Sequence, residues 1–187
     1  MKSLNVLSID LSKNSSGLTI CKIKEDKNTG KMLWNFKDCK FLALINDNKK
    51  VPKKNLEKFL LEDIEPTIKF YDGSYLSFGL FFEEFLKDEK IEHVIIEGHS
   101  FGSFGNSSSV THLTELHGIL KYICLKLGIP FEICSPRSHL TKDKSFMFVN
   151  DLLKKNKFKT IEKNYKPFED VCDSITMLDW KIKKEDG

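Results

Sequence analysis

A mixed α/β domain is what this sequence predicts, on three observations. The first 45 residues carry three consecutive strand patterns. Two later apolar runs, HVIIE (93–97) and PFEIC (130–134), have the length and composition of short buried strands. The stretches around them place apolar residues at helical spacing. Strands followed by alternating helices and strands imply a central sheet with helices on its faces.

In chain order, LNVLSI (4–9) is an apolar run that stops at Asp10, and SKNSSG after it is turn chemistry. GLTICKIKE (17–25) alternates apolar and polar residues as a second strand, and DKNTGK supplies a hairpin turn into a third, LWNFKDCKFLALI (33–45). Residues 46–73 are Lys-rich and then acidic, with Pro52 and Pro66; they read as an insertion holding one short helix at 55–64. Tyr75 to Lys90 sets Leu76, Leu80, Phe81, Phe85 and Leu86 at helical rhythm, and HVIIE then ends in Glu97. The loop 98–109 has three Gly and five Ser around Phe101 and Phe104. A helix follows at 110–127, with Leu113, Leu116, Leu120 and Leu127 on one stripe and Gly128 as its stop. After PFEIC come a basic loop, SPRSHLTKDK (135–144), a helix at 145–155, a Lys-rich connector, and a last helix from Phe168 to Lys181.

Composition narrows the function. At 187 residues the chain forms one domain, 1–187, too short for the two lobes of kinases or actin-like ATPases. Five scattered cysteines without a CxxC pair argue against a disulfide framework and a zinc site. No apolar run approaches the ~20 residues of a membrane span, and Asp10 interrupts the start before a secretory apolar region forms, so a cytoplasmic protein without membrane contact is expected. Net charge is only +3, yet residues 1–60 carry 13 Lys against 6 acids and residues 61–100 carry 3 against 10. A polyanion-binding face must therefore be local. HLTELH is not the HExxH of zinc proteases, and the loop after HVIIE lacks the GxGxxG spacing of a dinucleotide site.

Four acids carry the chemistry. Asp10 and Glu97 end two strands, where side chains of an open α/β sheet reach the ligand crevice. Asp170 and Asp173, three apart in FEDVCDS, share one helix face. If that helix packs beside the strand ends, the four carboxylates converge, and their repulsion calls for hard divalent cations bound through oxygen. Two Mg²⁺ ions, with Mn²⁺ able to substitute, would suit phosphodiester hydrolysis.

The strings VLSIDLSKNSSGLTI, VIIEGHSFGSFGNSSSVTHLTELHGIL, IPFEICSPRSHLTKDK and EDVCDS, in this order and spacing, resemble RuvC-type crossover-junction endonucleases, especially phage-encoded members, over residues 1–45 and 74–182. The resemblance implies the ribonuclease-H-like fold, with a mixed central sheet of three antiparallel strands followed by parallel ones. It carries the family's four metal ligands to Asp10, Glu97, Asp170 and Asp173. It further implies a homodimer cutting four-way DNA junctions, in the bacterial host cytoplasm if phage-encoded. The family's dimer contact falls on helix 110–127, with Gly118 in the matching place, and the apolar stripe there sets Leu116 to Leu120 as the part expected to meet its mate. The lysine that contacts the scissile phosphate matches Lys142 or Lys144. Ser174 stands where the family usually has Ala.

Several readings stay open at this level. An Asp after a strand commonly starts a turn, and Asp in a first helical turn suits the helix dipole without any function. Glu169, four before Asp173, competes with Asp170 as the ligand. Phe101 and Phe104 either pack on the domain or stack on unpaired bases, and Arg137 joins Lys142 and Lys144 as an expected DNA contact. The lysines at 154–166 form either a solvated face or a phosphate-tracking patch. A flap, fork or RNA-directed nuclease of the same fold, or a non-catalytic nucleic-acid-binding module, are the alternatives.

Overall fold

The computed structural model describes residues 3–12, 14–48, 51–60, 62–98, 107–135 and 141–185, with backbone only for 107–109 and 184–185. The described elements are β1 (Ser3–Asp10), β2 (Ser15–Glu25), β3 (Met32–Leu33), β4 (Lys40–Asn46), α1 (Lys53–Leu60), β5 (Thr67–Tyr71), α2 (Tyr75–Asp88), β6 (His93–Glu97), α3 (Ser107–Leu127), β7 (Phe131–Cys134), α4 (Lys142–Lys155) and α5 (Phe168–Glu185). One sheet in the order β5-β4-β2-β1-β6-β7 organises the chain, with β3 paired to β2. β2 runs antiparallel to β1 and β4, while β1–β6, β6–β7 and β4–β5 are parallel. The expected mixed sheet flanked by helices is what forms.

Alternation along β1 divides its side chains between two cores. Leu7 and Ile9 join Phe78, Phe82, Leu116 and Leu120 under α2 and α3. Val6 faces the other way, with Cys21, Ile95, Met177 and Leu178, under α5. Asp10 shares Val6's parity, and Glu97 shares that of Ile95, so both strand-end acids face α5. A third cluster joins Phe41, Phe59, Val149, Ile161 and Phe168 on the same side of the sheet as α5.

Four expectations are corrected. Residues 33–45 are not one strand: β3 has two residues, a 3-10 turn spans Phe36–Asp38, and β4 starts at Lys40. Asn35 Oδ1 accepts the Lys37 N–H at 3.1 Å to cap that turn, and Phe36 is buried within it against Phe41 with ring centroids 5.1 Å apart, so the apolar pattern runs on where the strand does not. The excursion at 46–73 holds a helix at 53–60 in place of 55–64 and an unexpected strand, β5, which extends the sheet edge. α4 begins at Lys142, after Thr141, so Lys142 and Lys144 are helical and not part of a loop. Leu116 and Leu120 are fully buried in the chain's own core, because their stripe of α3 joins Leu7 and Ile9 of the sheet and Phe78 and Phe82 of α2; they offer nothing to a second molecule.

Candidate active site

The arrival of α5 at the strand ends depends on a missing side chain. A Cβ on Gly17, which pairs with Asp10 across the β1–β2 hairpin, would overlap the backbone carbonyl of Asp170 and the amide nitrogen of Val171. Glycine lets helix and strand backbones touch here. One turn further, Ser174 is buried and its hydroxyl lies 2.7 Å from that of Thr19, while it also donates to the Val171 carbonyl at 2.8 Å. The small residue at this place is thus both a spacer and a tether.

This docking brings the four acids together. Asp10 is 7% exposed, Asp170 1% and Asp173 8%, and Glu97 is half-buried. Asp10 and Glu97 are in side-chain hydrogen-bond contact. Burial pushes the Asp10 carboxyl well above its ordinary range, and the contact with Glu97 and the charges of Glu97, Asp170 and Asp173 push the same way. Burial also raises Asp170, against the opposing pull of the Lys166 ammonium and the Ser15 hydroxyl, which donates to Oδ2. The buried Cys172 thiol is raised by burial and then by the fields of Asp173, Asp170 and Glu169.

The adjacent acids at the start of α5 are separated by the helix geometry. Asp170 points inward to Ser15, whereas Glu169 sits at the rim in an ion pair with Lys142 and 3.9 Å from Lys166. Lys142 is held above the ordinary ammonium range by that bond to Glu169, with Asp173 and Asp170 adding to it. Lys144 is exposed, two residues along the same helix. Phe101, Phe104 and Arg137 lie outside the described residues. Ser15, Gly17 and Lys166 escaped the sequence reading. Only Lys166 left a trace there, four residues before Asp170.

Among the described residues no group of three His, Cys, Asp or Glu side chains stands at metal-ligand spacing. Asp10 and Glu97 are in direct contact, and Asp170 and Asp173 act on Asp10 through their charges. Their chemistry nevertheless fits a hard cation: the donors are carboxylate oxygens, one of them buried among like charges that a divalent ion would offset. Ser8, on the Asp10 face of β1, adds a buried hydroxyl without a hydrogen-bond partner among the described residues.

No family model matches this sequence, and no curated protein matches it. Solved structures do match. Thermus thermophilus RuvC in complex with a Holliday junction substrate superposes with a TM-score of 0.58 at 12% identity, covering 98% of this chain and 96% of that one. T. thermophilus RuvC in a second structure gives 0.57 at 12% identity, with 97% of each chain covered. The yeast mitochondrial Holliday junction resolvase gives 0.51 at 14%, covering 97% of this chain and 79% of that one. At such identities the likeness speaks for architecture, and it runs nearly end to end: this chain has the ribonuclease-H-like fold of RuvC-type junction resolvases.

Proposed function

We propose that this protein is a divalent-cation-dependent endonuclease that resolves four-way DNA junctions, working as a homodimer in the cytoplasm. The observation that carries the reading is the convergence of Asp170 and Asp173 on the strand-end acids Asp10 and Glu97, on a scaffold shared with a RuvC bound to a Holliday junction. These four side chains would hold the cation, Mg²⁺ or Mn²⁺. Bound there, it supplies Lewis acidity for an attacking water and for the departing oxygen of the phosphodiester.

The chain's own residues do the rest. Ser15 and Lys166 each bond one oxygen of Asp170 and fix its orientation. Lys142, freed from Glu169 by an incoming phosphate, would then meet the scissile strand; its pairing with Glu169 favours it over Lys144, two residues along the same helix. Asp170→Asn is expected to lower cleavage at least about 100-fold, while Glu169→Gln stays within about 10-fold, in single-turnover assays. Equal losses would reassign the ligand to the rim.

A second molecule has a place on α3. Gly118 is exposed, and a Cβ there would meet nothing within 4 Å, so nothing among the described residues requires glycine at a position where it costs about 1 kcal/mol of helix stability. Tyr122 and Leu125, one and two turns on, are 65% and 70% exposed. A bare helix backbone flanked by exposed apolar side chains suits close approach of a second α3. Leu125→Glu is therefore expected to shift the protein from dimer to monomer in sedimentation at about 10 µM, with its melting temperature nearly unchanged. A wild type that sediments as a monomer at that concentration would remove the dimer.

The functional reading is tested by incubating the protein with a four-way junction, a linear duplex, a flap and an RNA/DNA hybrid, each with Mg²⁺ and with EDTA. Junction cutting confined to Mg²⁺ is the expected result. Preference for the flap or the hybrid would reassign the substrate, and binding without cutting would make this a non-catalytic module.

A further inference from the structure

α1, with Val51 and Ile64 on either side of it, and the connector after α4 are far apart in sequence but build one lobe beside the start of α5. α1 buries Phe59 completely and shares a core with Phe158, Ile161 and Tyr165 of the connector. Two hydrogen bonds lock the halves together: the Lys159 N–H donates to Asp63 Oδ2 at 2.7 Å, and the Tyr165 hydroxyl donates to Glu62 Oε1 at 2.6 Å. Lys58 Nζ lies 4.3 Å from the centroid of the Tyr165 ring, and that ring stacks on Phe168, the first residue of α5, at 5.8 Å. A groove of about 500 Å³ runs between the halves, lined by Lys54 and Lys58 from α1 and Lys159 from the connector, with Glu57, Glu62 and Glu162.

Two of the three acids of this groove are engaged, and two of its three lysines are not, Lys58 lying over the Tyr165 ring. Glu62 accepts from Tyr165, and Glu57 lies 3.7 Å from Lys53. Lys54 and Lys159 are exposed and make no ion pair among the described residues. Residues 53–60 and 154–166 together contain nine Lys against two acids, which concentrates here a positive charge that the whole chain, at +3, does not have. Lysines spaced along a groove act as point charges for phosphates and read no sequence.

The geometry points to a duplex-binding face: we propose that this lobe docks one arm of the branched DNA through its phosphate backbone. The proposal rests on the junction-cutting reading and adds to it the part of the molecule that holds an arm. Tyr165 is five residues from Asp170, so at most ~18 Å of chain separates them. A duplex leaving the cutting point covers that distance in about five base pairs at ~3.4 Å each. Lys166, between the two, is ion-paired with Asp170, so the chain leads directly from the lobe to the carboxylates.

The test replaces Lys54, Lys58 and Lys159 together by Gln and measures junction binding in Ca²⁺ against salt concentration, with arms of about 20 and about 4 base pairs. Each lost phosphate contact lowers the slope of log affinity against log salt by about 0.9. The triple variant should therefore lose about 2.7 in slope, and about 10- to 100-fold in affinity near 150 mM salt, on long arms only. Its melting temperature should fall by no more than about 4 °C, the loss of the Lys58–Tyr165 cation–π contact. An unchanged slope and affinity on long arms, or equal losses on both arm lengths, overturns the docking face while leaving the active-site reading intact. A wild type that binds no junction at any salt overturns both.

Discussion

Asp10→Asn is expected to reduce junction cleavage by about 1000-fold or more while binding in Ca²⁺ or EDTA persists. The loss follows from removing one carboxylate charge from the buried crevice, whereas the proposed binding would rest on lysine contacts to phosphates. The same change has a thermodynamic signature. The Asp10 carboxyl is raised by burial and by Glu97, Asp170 and Asp173, so its protonated form favours the fold. That contribution is full below the ordinary carboxylate pKa and is lost as pH rises through the raised value. In the absence of divalent cations, Asn should remove this slope and leave the melting temperature at neutral pH equal to or above that of the wild type. Wild-type turnover by the variant would take Asp10 out of the catalytic centre.

Gly17→Val is expected to have the largest effect on stability, at about 3 kcal/mol or more, a fall of about 6–12 °C in melting temperature. The new side chain would meet the backbone of Asp170 and Val171, which cannot rotate away as a side chain can. Relief requires α5 to lift from β2, carrying Asp170 and Asp173 from Asp10 and breaking the Thr19–Ser174 contact. Activity should therefore fall with stability. A thermal melt of Gly17→Val indistinguishable from wild type would show that the helix does not press on the strand.

Sequence reasoning reached the parts of this site that are written locally. A short apolar run closed by an acid identifies β1 with Asp10 and β6 with Glu97, and helical spacing identifies α5 with its two Asp. What it missed depends on packing between distant segments. Gly17 looks like turn punctuation until α5, more than 150 residues later, is laid across it. The β5 segment TIKFY buries only Tyr71, so its pattern lacks the alternation of a half-buried strand. The 33–45 stretch misleads for the opposite reason, since Phe36 is in the core without being in a strand. The α3 stripe is as apolar as expected, but α2 covers Leu116 and Leu120 and leaves Tyr122 and Leu125 outside.

Asp10, Glu97, Asp170 and Asp173 are expected to hold divalent cations, and every step of the proposed cleavage depends on this. Mn²⁺ titration followed by electron paramagnetic resonance measures this without DNA and without turnover. The free-ion signal of Mn²⁺ should fall on adding wild-type protein, by up to two ions per chain, and should be largely restored with Asp10→Asn. A free-ion signal that wild-type protein leaves unchanged, or that Asp10→Asn lowers as much as wild type does, would contradict the account.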